Sequence, residues 1–185
     1  MRSFLDRLYR ACLLLAALCL IGIALLVGLQ LLGRIADGAL RLVGAAPVGF
    51  VIPSAAEFAA NLLAAASFFA LAGTFKSGGH IRVTMLLGAV GEARRRPLEI
   101  WALGATTVLC AFMTFSIGRF AFYSYVFHEI SPGVIPVPLV IPQTAMTVGL
   151  LVLTVALVDE FVLVLRGLPP SFRAAEEAAT LSREG

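Results

Sequence analysis

The chain has 185 residues, of which 60% are hydrophobic and only 14% charged, with a formal net charge of +3 and a mean hydropathy of +0.98. A soluble domain of this length needs far more polar surface, so the composition excludes an ordinary water-soluble globule. It places the protein in a membrane, with partners that meet it within lipid or at its edges.

The first long apolar run covers residues 11–32 and follows a basic leader containing Arg2, Arg7 and Arg10. A removed signal peptide starts similarly, but its apolar core is usually about 7–15 residues and ends at a small-x-small cleavage site. This run is longer and ends in Gln30-Leu31-Leu32-Gly33-Arg34, so it is read as a retained span. Residues 33–54 mix apolar side chains with Arg34, Asp37 and Arg41, which predicts a short interfacial helix broken by Pro47 and Pro53.

The second run, residues 55–75, opens with Glu57 and Asn61, four residues apart and therefore on one helical face. The connection 76–97 begins with Gly78-Gly79, which ends a helix cheaply. It continues through His80, Arg82 and the run Arg94-Arg95-Arg96 to Pro97. Its middle is too short to cross a bilayer, so it is expected to lie along the inner surface with its cations near anionic headgroups.

The third run spans residues 98–127. A proline-rich segment with Pro132, Pro136, Pro138 and Pro142 follows, expected to be a stiff, non-helical return. The fourth run spans residues 143–165. Each run reaches the ~20 residues that a helix needs to cross a bilayer. The expected fold is therefore an all-α integral membrane protein: one domain over residues 1–170 with four transmembrane helices and short interfacial helices. Residues 171–185 form a polar tail, and no internal repeat is visible.

Lys and Arg residues set the expected orientation. With the N-terminus inside, eleven of the fourteen basic residues fall on the cytoplasmic side and only Arg34, Arg41 and Arg119 outside, the bias that fixes topology for short loops. Both termini are thus expected to be cytoplasmic. The net positive charge follows from this bias and requires no nucleic-acid partner. Trp101 and Tyr123 agree with that frame, since a helix rises about 33 Å between them, close to the ~30 Å hydrocarbon core.

Sorted by depth, Arg34, Glu57, Arg119 and Gln143 come to the outer level. Arg10, Lys76, Arg82, Glu99, Asp159, Glu160 and Arg166 come to the inner level. None falls at the midplane, where transport paths often place a charge. Glu57 with Asn61 has two readings: half of a proton- or sodium-coupled site, or a pair with Arg34 or Arg119 plus an interhelical amide bond. The second is preferred because Glu57 lies only slightly inside the interface.

Catalytic and cofactor chemistry finds little support. Cys12, Cys19 and Cys110 form no Cys-x-x-Cys pair, which argues against zinc or a redox relay. His80 and His128 fall at opposite surfaces and cannot ligate one haem iron. Ser67, Ser116 and Ser124 have no histidine at matching depth to act as base. Gly78-Gly79 lacks the Gly-Lys-Ser/Thr ending of a phosphate loop. No enzyme activity, metal or cofactor is expected in this chain. Small residues at four-residue spacing, Ala24 and Gly28 or Ala60 and Ala64, fit close helix packing in lipid.

Glu57 opening the second span, followed by Phe75-Lys76-Ser77-Gly78-Gly79-His80-Ile81-Arg82-Val83-Thr84, resembles the small permease subunit of tripartite ATP-independent periplasmic (TRAP) transporters, the DctQ-like family. Gly33-Arg34 and the stretch containing Pro138, Pro142 and Gln143 match further parts in the same order. Thr84 stands where an Asp is common and Ile35 where a Tyr is common. The resemblance implies a multi-pass subunit of a bacterial inner membrane in a secondary transporter of the symport type. It would scaffold a large permease subunit that carries the sodium and solute sites, while a periplasmic binding protein captures the solute, often a carboxylate. It also implies that Gly78, Gly79, His80 and Arg82 shape an inner turn, and that Glu57 and Arg34 make outer contacts. An autonomous small transporter or channel, and a membrane anchor of a respiratory complex, remain the alternatives.

Overall fold

The computed structural model describes residues 2–76 and 92–168, with side chains over 5–76 and 96–168. Four helices account for most of it: α1 (Arg2–Leu42), α2 (Ala55–Lys76), α3 (Glu92–Val126) and α4 (Val140–Leu165). Each is long and apolar enough to cross a membrane, so the expected four-span, all-α fold is the observed one.

The helices pack as a row rather than a square. Helix α1 lies on α2, α2 on α4, and α4 on α3, while α1 barely touches α4. The central pair α2 and α4 runs parallel and supplies most of the core, where Ala72, Leu150, Leu153, Ala156 and Leu157 are buried. The edge helices α1 and α3 keep long apolar faces exposed, including Leu14, Leu18 and Leu25 on one side and Trp101, Val108, Phe112 and Phe115 on the other.

Small residues set the spacing. A Cβ on Gly149 of α4 would lie 2.6 Å from the Phe68 carbonyl carbon and oxygen of α2, so the two central backbones approach as only glycine permits. Gly73 of α2 likewise receives Leu13 of α1, with no room for a Cβ. The polar groups inside the slab are mostly satisfied within their own helix, as when Thr107 donates to the Leu103 carbonyl at 2.7 Å. Thr114 and Thr154 also share a 3.1 Å hydroxyl bond across α3 and α4.

Three boundaries differ from the sequence reading. The interfacial helix expected after residue 33 is not separate: α1 runs unbroken to Leu42, because no proline intervenes before Pro47. Helix α3 begins at Glu92 and takes Pro97 inside it, at the cost of one intrahelical bond. Helix α4 begins at Val140, so Pro142 stands in its first turn, where an amide N–H has no helical partner to lose. The return 127–139 is non-helical, as its prolines suggest. It carries an isolated antiparallel bridge between Ile130 and Pro138.

Candidate functional site

The polar side chains collect at the two ends of the row. At the end where α1 starts and α2 and α4 finish, Lys76 Nζ lies 3.1 Å from Glu160 Oε1 and 3.5 Å from Asp159 Oδ2. The ammonium also stands 5.7 Å from the ring centre of Tyr9 on α1. Glu160 is fully buried, and the Tyr9 hydroxyl is buried without a hydrogen-bond partner among the described residues. This cluster ties three helices together at one level. Alongside it, Arg96 of α3 donates to the Leu165 carbonyl at 3.5 Å.

The sequence reading placed Lys76, Asp159 and Glu160 at one depth but did not pair them. The signal was present: an Asp-Glu dipeptide near the end of an otherwise apolar helix, and a single lysine ending a neighbouring one. An uncompensated carboxylate is costly there, and the lysine offers the charge that compensates it.

At the opposite end, Ser54 starts α2. Its carbonyl accepts the Glu57 and Phe58 N–H groups at 3.0 Å, and its hydroxyl accepts the Ile135 N–H at 3.0 Å. The half-buried Glu57 carboxylate rests against Gly133, where a Cβ would overlap it. Glu57 therefore joins α2 to the 127–139 return. The return is held by Ser124, whose hydroxyl donates to Glu129 at 2.6 Å. A left-handed His128 (φ 51) caps α3 by letting the Glu129 N–H reach the Ser124 carbonyl at 3.0 Å.

The preferred pairing of Glu57 with Arg34 or Arg119 is not found: among the described residues the ion pairs converge on Lys76. The Arg119 guanidinium instead lies 5.9 Å and 5.7 Å from the ring centres of Phe115 and Tyr123 on its own helix. Arg34 is exposed on α1. Asn61 is half-buried one turn beyond Glu57, and Gln143, in the first turn of α4, has a buried Oε1 with no hydrogen-bond partner among the described residues. The contact of Phe68 with Gly149 and the parallel run of α2 and α4 set Asn61 and Gln143 at similar depth. Pro142 is half-buried beside Gln143. Gly78, Gly79, His80 and Arg82 lie outside the described residues.

Chemically, both ends are fastening points. The described residues contain no group of three or more His, Cys, Asp or Glu side chains arranged to hold a metal ion, and Cys12, Cys19 and Cys110 are free thiols. Between the ends, the described helix interfaces are mainly apolar, built of Ala, Gly, Leu and Val with Cys12, Phe68, Ile117 and Phe161, and carry the Thr114–Thr154 pair.

No curated protein and no solved structure matches the chain significantly. Residues 35–167 match the family described as the DctQ component of tripartite ATP-independent periplasmic transporters. That stretch takes in the end of α1, all of α2, α3 and α4, the ion pairs of Lys76 with Asp159 and Glu160, and the Glu57 seat, while Tyr9 lies before it. The chain belongs to the DctQ family and is a small membrane subunit of a TRAP transporter.

Proposed function

We propose that this subunit is a scaffold for the large permease subunit of a TRAP-type symporter in a bacterial inner membrane, with both termini cytoplasmic. The large subunit would carry the sodium and solute sites, and a periplasmic binding protein would deliver the solute, a carboxylate by family resemblance. One observation carries the reading. The described charges lie at the two ends of the row, while the edge helix α3 leaves an apolar, aromatic face open from Trp101 to Phe122. Such a chain offers a broad packing surface and few groups with which to coordinate an ion or solute. Proteins that hold substrates in lipid usually place ionisable groups inside the bundle.

The test is affinity purification of this chain from native membranes in mild detergent, followed by mass spectrometry. A stoichiometric, larger multispan partner is expected. A homo-oligomer lacking that partner across several detergents overturns the scaffold role. In the same assay Glu57→Ala and Arg82→Ala are expected to lower the yield of complex, while the complex that does form keeps its solute affinity in a separate binding measurement.

A further inference from the structure

The last three turns of α1 hold two arginines, Arg34 and Arg41, whose side chains make no ion pair or hydrogen bond among the described residues. We propose that Arg34 and Arg41 bind the phosphate groups of anionic phospholipids in the leaflet at the Glu57 end.

The two residues are seven apart, close to two helical turns, so they stand on one side of α1. Asp37 lies between them at the three- and four-residue spacings from which a carboxylate normally neutralises an arginine. It does not do so here. Asp37 Oδ1 accepts the Val48 N–H at 2.7 Å and Oδ2 accepts the Gly49 N–H at 3.1 Å, so the carboxylate pins the return segment. Phe50 then folds onto Gly33. Arg34 and Arg41 are exposed, and neither side chain forms an ion pair or hydrogen bond among the described residues. Two exposed guanidiniums are left without a direct ion-pair partner among the described residues, and their planar N–H forks suit phosphate oxygens.

What borders them decides the partner. Ile35 is 59% exposed and Leu42 is 90% exposed on the adjoining helical face, with Val48 and Val51 exposed on the return. A surface this apolar beside a pair of cations has the composition of a helix in a headgroup layer. Length agrees. From Arg10 to Arg41 a helix rises about 46 Å, and a bilayer with its headgroups is about 40–45 Å thick. At an ordinary tilt of roughly 20°, Arg10 and Arg41 reach opposite headgroup layers. The end of α1 thus crosses the layer obliquely rather than projecting into water.

The test uses the detergent-purified complex of this chain with its partners. Native mass spectrometry is expected to show phosphatidylglycerol retained several-fold over phosphatidylethanolamine. Arg34→Gln with Arg41→Gln should lose that preference, and Arg34→Lys with Arg41→Lys should keep most of it. Equal retention in the wild-type complex and the glutamine variant overturns the proposal. A second measurement needs no loss of charge. With Cys12, Cys19 and Cys110 replaced by Ala, a nitroxide on Leu42→Cys in vesicles of the two lipids should be relaxed more by oxygen than by a water-soluble nickel chelate. Free access of the chelate, blocked only when a soluble partner protein is added, assigns the surface to a protein and contradicts the lipid site.

Discussion

Lys76 Nζ lies 3.1 Å from Glu160 Oε1, at a point where the Glu160 side chain has no exposure to solvent. The pair joins the end of α2 to the last turns of α4, and the Tyr9 ring beneath the ammonium adds α1. Removing one member of a buried pair leaves the other charge stranded in a medium that solvates it poorly.

Lys76→Met is therefore expected to destabilise the bundle by about 3 kcal/mol, read as a lower thermal unfolding midpoint in detergent. Adding Glu160→Gln should recover part of that loss, because the buried carboxylate that has lost its ammonium is removed. A double variant less stable than Lys76→Met would show that Glu160 is held by other groups.

The expected four spans rest on a property that sequence displays directly: about twenty consecutive apolar residues have few folded alternatives to crossing a bilayer. Helix ends were less legible. Arg34, Asp37 and Arg41 look like the start of a separate surface helix, but charge alone does not break a helix, and α1 continues through them to Leu42. Pro97 and Pro142 look like boundaries, yet both fall near the start of a helix, where the missing N–H costs little or one bond. Pairing was the least legible feature. Lys76 and Glu160 are far apart in sequence, and their meeting depends on α2 and α4 being neighbours, which apolar patterning does not specify. Glu57 stands out in the sequence as a lone carboxylate opening an apolar span, but its neighbour is Gly133, a residue without a side chain to advertise the contact.

Gly149 tests the central packing. Gly149→Val puts side-chain atoms into the Phe68 backbone and should cost about 2 kcal/mol or more, seen as loss of monodisperse protein on size exclusion. Gly28→Ala, where a Cβ meets nothing within 4 Å, should be neutral or slightly stabilising.

Gly133 and Glu57 make a sharper pair. Gly133→Ala pushes the carboxylate from its seat and leaves the helix backbones in place, since the atoms a Cβ would meet belong to the side chains of Glu57 and Ser54. It is expected to reduce complex yield to a similar extent as Glu57→Ala, while the thermal midpoint of the subunit stays within a few degrees. A normal yield from Gly133→Ala would remove the Glu57 seat from the assembly surface.

Thr114 and Thr154 share a hydroxyl bond across α3 and α4, and such bonds in membrane bundles contribute about 0.6 kcal/mol on average. A double-mutant cycle with Thr114→Val and Thr154→Val should return a coupling of that order by unfolding in mixed micelles. Zero coupling would mean that each hydroxyl is satisfied by its own helix, through the bonds to Cys110 and Leu150 carbonyls.

The central claim is that this chain supports transport without itself performing it. Solute uptake into proteoliposomes tests that most directly, comparing this chain alone with the chain plus its copurified permease partner, each with the binding protein and a sodium gradient. Uptake only when the partner is present is the predicted result. Gradient-driven uptake by this chain alone would contradict the account and return Glu57 and Asn61 to consideration as a coupling site.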